Sequence, residues 1–228
     1  MDSTNSTLIL HIGLILVFGA WYFFACCKQL NKDEGNLHFA VSSSLSMLIS
    51  HPRIPICLLV IGISCQTLVS GLLTLLHPII PSAFASYDKL MEQASSDNTP
   101  VILIVCICLL APIGEELLFR GVIFHYLTRL IKPIYAVMIQ ALLFGIYHGN
   151  IVQGIYAAFM GVLLGILVTG FHSILPSVCL HLVVNVSMYL IPQALYQTTL
   201  SCCMTVLLST GIFAFAWNIL RKTSIPSA

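Results

Sequence analysis

Residues 101–124 read Val101-Ile-Leu-Ile-Val-Cys-Ile-Cys-Leu-Leu-Ala-Pro-Ile-Gly-Glu115-Glu116-Leu-Leu-Phe-Arg120-Gly-Val-Ile-Phe124. This run is long and apolar enough to cross a bilayer as a helix, since a ~30 Å hydrocarbon core takes about 20 apolar residues. Yet Glu115, Glu116 and Arg120 fall well inside it, after about a dozen apolar positions. A charge at mid-bilayer costs roughly 2.5–3.5 kcal/mol, so the three together would cost on the order of 8–10 kcal/mol without compensation. They must face one another or a polar cavity, and that requires further helices to enclose them. Glu116 and Arg120 are four apart and can pair on one helical face. Glu115 is rotated by about 100° from Glu116, so the spacing leaves it for chemistry while the pair orients the site.

The rest of the chain supplies those helices. Of its 228 residues, 58% are hydrophobic and 7% charged, against roughly a quarter charged in soluble domains. The reading is an all-α, polytopic transmembrane bundle in a single domain over residues 1–228. Apolar segments fall at about 8–27, 54–80, 101–128, 134–148, 151–170, 174–191 and 199–220. Each must close its own backbone hydrogen bonds in lipid, so each is expected as a helix. The first is expected to be a retained anchor, lacking a basic flank and a small-residue cleavage site. Residues 31–53 and 81–100 read as polar loops.

Segment five carries Ala157, Gly161 and Gly165 at four-residue spacing, a small-residue ridge suited to close packing inside the bundle ahead of the alternative, a dimer interface. The nine cysteines form no C-x-x-C motif. The adjacent pairs Cys26-Cys27 and Cys202-Cys203 are poor disulfide partners; apolar filler, or acylation near helix ends, suits them. Net charge is +1 with no basic tail, and nothing points to nucleic acid.

Two more segments bring polar groups to the carboxylates. Segment four ends Phe144-Gly-Ile-Tyr-His148, and segment six holds His181-Leu-Val-Val-Asn185, with His and Asn on one helical face. A lone buried histidine is usually a satisfied core residue, but three segments carrying such groups to similar depth make a candidate site. His11, His38, His51, His77, His125 and His172 sit at segment ends, in loops or alone, and are read as structural.

Glu-Glu-x-x-x-Arg at 115–120, Phe-x-x-x-His at 144–148 and His-x-x-x-Asn at 181–185, in this order, resemble the three motifs of the CPBP family. These are the CAAX proteases and bacteriocin-processing enzymes, among them the type II CAAX prenyl endopeptidases. The lead-in Ala111-Pro112-Ile113-Gly114 and the trailing Gly121 are also typical. The resemblance spans about 100–190 and implies an intramembrane endopeptidase. It implies that Glu115 and His148 activate a water, that His181 and Asn185 stabilise the oxyanion, and that Glu116, Arg120 and Phe144 support them. The family also bears a metalloprotease label. Under it, zinc is the candidate cofactor, with Glu115, His148 and His181 as three ligands and an open position. Asn185 is a poor zinc ligand and a good oxyanion donor, which favours the metal-free reading.

The implied partner is a membrane-associated peptide or protein, prenylated or not, met in the lipid bilayer. Two other classes compete. A transporter or channel would use intramembrane Glu and His to bind ions, but no inverted repeat is seen. A non-catalytic scaffold or immunity relative would be expected to lose Glu115 or a motif histidine.

Charge placement gives an orientation. With seven crossings, Lys28, Lys32, Arg53, Arg129, Lys132, Arg221 and Lys222 fall on one side, and Lys89 alone among Asp88, Glu92 and Asp97 on the other. Reporter fusions at Ala228 are expected to read cytoplasmic and fusions at Glu92 external. The same side for both would refute the span count.

Overall fold

A computed structural model describes residues 3–30, 41–95 and 99–223. Lys32, His38 and Asp97 lie outside the described residues. All regular structure within them is helical: α1 (Ser3–Leu30), α2 (Val41–Ser50), α3 (Arg53–Leu76), α4 (Pro81–Ser95), α5 (Val101–Leu127), α6 (Pro133–Tyr147), α7 (Ile151–Phe171), α8 (Leu175–Leu190) and α9 (Thr199–Thr223), with a 3₁₀ turn at Gln193–Tyr196. The all-α polytopic expectation holds. Five helices, α1, α3, α5, α7 and α9, have the length and composition to cross a membrane. The apolar α6 and α8 are shorter, at 15 and 16 residues, or about 22–24 Å at 1.5 Å per residue. Large side chains such as Leu142, Phe159, Leu207 and Phe215 point outward, as an integral membrane protein requires and a soluble one avoids.

Two segments expected to be loops are helical. Residues 41–50 place Val41, Leu45 and Leu48 at helical spacing despite five serines. Residues 81–95 start with Pro81 and repeat Phe84, Tyr87, Met91 and Ala94 along one face. Their polarity hid an amphipathic pattern. Phe84 and Ala94 are buried. The α4 helix is tied down by Asn150 Nδ2 donating to Ser86 Oγ (2.7 Å), Tyr189 Oη donating to the Ala94 carbonyl (2.9 Å), and a His77–Asp88 contact of 3.0 Å.

Small residues decide how closely the helices approach. The α6–α7 hairpin turns at Gly149, whose φ of +65° suits glycine. Asn150 then caps α7, its Oδ1 accepting from the Gln153 N–H at 3.1 Å. Gly161 faces α6 so closely that a Cβ there would stand 2.8 Å from the Cα of Ala141. The small-residue ridge therefore packs inside the bundle. The cysteines Cys57, Cys65, Cys106, Cys108, Cys179, Cys202 and Cys203 are free thiols, buried or half-buried.

Gly161→Val should force α6 from α7 and lower the thermal midpoint by several degrees in detergent. Gly211→Ala, where a Cβ meets nothing within 4 Å, should leave it unchanged or slightly raised. Equal midpoints for the two variants would refute the close α6–α7 contact.

Candidate active site

The site begins with an irregularity of α5. The helix widens to π geometry over Cys106–Leu110 and again over Leu117–Phe124. In the first turn, the Ala111 N–H bonds to the Cys106 carbonyl. The next residue, Pro112, has no N–H to offer, so the Ile107 carbonyl loses its helical donor. Asn185 fills that gap, its Nδ2 donating to Ile107 O at 2.9 Å. A widened turn in α5 thus fixes the rotation of α8, on which Asn185 and His181 both ride. Such turns are frequent at functional sites.

Glu116 and Arg120 are both 0% exposed and joined by a 2.9 Å contact between Glu116 Oε1 and Arg120 Nη1. The same carboxylate oxygen stands 2.9 Å from His181 Nδ1, so one oxygen links α5 to α8. The Arg120 guanidinium also donates through Nη2 to the Gly161 carbonyl (3.4 Å), which accepts Gln140 Nε2 at 2.7 Å as well. Its Cζ lies 4.5 Å from the centre of the Phe144 ring. The pair is therefore shared among α5, α6, α7 and α8. Burial of an ion pair is tolerated only when such extra partners stabilise it.

Phe144 stands edge-on to both histidines, with ring centres 4.8 Å from His148 and 5.8 Å from His181. His148 Nδ1 lies 2.8 Å from the Phe144 carbonyl. In the neutral ring this makes Nδ1 the donor and leaves Nε2 as the acceptor. Glu115 is nearly buried, and its Oε2 lies 3.7 Å from His181 Nε2. Glu115, Phe144, His148, His181 and Asn185 all line one cavity of about 670 Å³. Glu116 and Arg120 stand behind this wall.

The seven residues singled out from the sequence thus lie together, with two differences in arrangement. The recorded partner of Glu115 is His181 rather than His148; no direct hydrogen bond or ion pair joins Glu115 to His148 among the described residues. The three candidate zinc ligands Glu115, His148 and His181 line the same cavity but are not drawn together as a metal-holding group. Among the described residues no three His, Cys, Asp or Glu side chains are grouped to hold a metal ion. His181 holds Nδ1 against Glu116 and His148 holds Nδ1 against its own helix, which leaves the Nε2 atom of each ring toward the cavity side of the site.

Gln140 was missed. It is fully buried and stands at i, i+4, i+8 with Phe144 and His148, a spacing visible in the sequence. A single neutral amide within an apolar run carries less signal than a charge. The roof helix α4 was also missed, since its contribution of Tyr87, Asp88 and Met91 to the cavity follows from a fold-back over α7.

Comparison with known proteins agrees with the motif region. A family model described as type II CAAX prenyl endopeptidase Rce1-like matches residues 97–187. This span holds α5 to α8 up to Ser187 and all three motifs. No curated protein and no solved structure matches the chain. The protein is a multi-pass membrane protein whose residues 97–187 match the model of a peptidase family.

Arg120→Met would leave Glu116 buried without its partner, and should cost roughly 3–5 kcal/mol of stability. Combining it with Glu116→Leu should recover much of that loss, read as the thermal midpoint of the purified protein. If the double variant is no more stable than Arg120→Met alone, the ion pair does not hold the bundle as described.

Proposed function

We propose that this chain, whose residues 97–187 match a CAAX prenyl endopeptidase family model, belongs to that family and is an intramembrane endopeptidase that cleaves a membrane-associated peptide with an activated water. The observation that carries the reading is the convergence of Glu115, His148, His181 and Asn185 on one cavity within an apolar bundle. A hydrolytic site needs a base, donors for the oxyanion and room for a chain, and these residue types supply the first two.

In this mechanism a water stands between the Glu115 carboxylate and His148 Nε2. Glu115 takes one proton as the water oxygen attacks the scissile carbonyl carbon. The new C–O bond puts negative charge on the carbonyl oxygen. A proton on His181 Nε2, and the Asn185 Nδ2 hydrogen not engaged by Ile107, stabilise that charge. Collapse of the tetrahedral species breaks the C–N bond, and the proton held by Glu115 passes to the leaving amine. Glu116 holds His181 at Nδ1, Arg120 holds Glu116, and Phe144 spaces the two imidazoles. The substrate class is a peptide or protein segment at the membrane, with or without a prenyl group.

Glu115→Gln should abolish cleavage by the purified enzyme while insertion and thermal midpoint persist, and peptides that accumulate in cells carrying Glu115→Ala should identify the substrate. Loss of one oxyanion donor, in His181→Ala or Asn185→Ala, should slow the reaction about 100-fold or more. Dialysis against a chelator should leave activity intact. Full activity in Glu115→Gln would end this reading. Zinc at one per chain, lost together with activity in both His148→Ala and His181→Ala, would replace the metal-free mechanism.

A further inference from the structure

The cavity that holds the candidate site has a second wall, and it comes from α3, outside the span matched by the family model. Gln66, Val69, Ser70, Leu73, Thr74 and His77 all line it. Their spacing of three and four residues is one face of a helix. Within that face Gln66, Ser70, Thr74 and His77 form a polar stripe along a helix that otherwise has the composition of a membrane span.

Packing does not require this stripe. The close contacts of α3 are made elsewhere around its axis. A Cβ on Gly62 would lie 2.5 Å from Val183 of α8, and one on Gly71 would lie 2.6 Å from Val206 of α9. The polar face therefore lines the cavity, with Ser70 also within hydrogen-bonding reach of the Tyr196 hydroxyl. Thr74 Oγ1 donates to its own helix at the Ser70 carbonyl (2.8 Å), and Gln66 Nε2 donates to Ser70 Oγ (3.2 Å). The Gln66 amide oxygen and its second hydrogen are left toward the cavity. Hydrogen-bonding groups in such a setting are costly unless something polar answers them.

From the geometry we infer that the polar stripe of α3 is a binding track for the backbone of an extended peptide. Gln66 and Ser70 exchange hydrogen bonds with its N–H and C=O groups, and Met91, Met160 and Met188 on the other walls receive its side chains. Methionine adapts to varied shapes, which suits a cavity that reads backbone more than sequence. At about 1.5 Å per helical residue the stripe runs some 16 Å from Gln66 to His77. An extended chain rising about 3.3 Å per residue would lay about five residues along it. At the His77 end of the stripe His77 and Asp88 are both about half exposed, and Glu115 and His181 line the same cavity. This inference rests on the peptidase reading for the chemistry but not for the binding.

The test uses a dye-labelled nonapeptide with a farnesylated cysteine at its centre, and its unprenylated counterpart. In the full-length protein, Gln66→Leu combined with Ser70→Ala should raise KM about tenfold for both peptides, with kcat changed less than about twofold. Shortening the peptide to four residues should raise the wild-type KM similarly and add nothing in the double variant. An unchanged KM, a loss confined to kcat, or a shift seen only with the farnesylated peptide would overturn the track. A second measurement needs no turnover. In Glu115→Gln protein, p-benzoylphenylalanine replacing Val69 should capture the nonapeptide on illumination. Capture there with no cleavage by the wild type would keep the track and end the peptidase reading. Cleavage by the wild type, with capture from position 188 but not from position 69, would do the reverse.

Discussion

The rest of the structure hangs on one fully buried ion pair. Glu116 and Arg120 sit one turn apart on α5 with no exposure to solvent or lipid. Neither charge could remain there alone, because the penalty for an unpaired ion in a low-dielectric interior exceeds what most single contacts return. The pair therefore recruits partners from three neighbouring helices: His181 from α8, the Phe144 face from α6 and the Gly161 carbonyl from α7. These contacts fix which faces of three helices turn inward. The groups proposed for chemistry hang on that frame one step further out, where they reach the cavity.

A second constraint runs in parallel through the backbone of α5. The π turn before Pro112 leaves the Ile107 carbonyl without a helical donor, and Asn185 answers it across the helix interface. A defect in one helix thus becomes a register mark for another. The Glu116–His181 contact and the Asn185–Ile107 contact hold α8 at two points one turn apart. His181 is then fixed in both height and rotation, which the oxyanion role proposed for it requires.

The cavity is built from more of the chain than the motifs. Its motif-bearing wall comes from α5, α6 and α8, its roof from α4 and its long side from α3. The wall carries the charges, and α3 carries neutral hydrogen-bonding groups. That division suits a hydrolase: strong fields belong where bonds change, while a polypeptide is better held by amide and hydroxyl groups that match its own.

How much of this was legible in the sequence depends on the size of the physical signal. Charges inside an apolar run announce themselves, because lipid makes them so costly, and so Glu115, Glu116 and Arg120 could be picked out by residue type and depth, His148 and His181 as titratable rings carried to similar depth, and Asn185 through its i, i+4 spacing from His181 and the motif it completes. The seven apolar segments and the Glu116–Arg120 pairing were legible for the same reason, the i, i+4 geometry being local. Weaker signals failed. Gln140 is neutral, and α4 and α2 are polar enough to read as loops. What only the tertiary structure decided is which groups meet. Nothing local tells His181 to turn one nitrogen to Glu116 and the other to Glu115, or tells Asn185 to spend a hydrogen on Ile107. Those choices depend on helix rotation, and rotation is set by contacts between residues some 65 to 78 positions apart. Periodicity within one helix fixes its faces, but only packing against the others decides what each face sees.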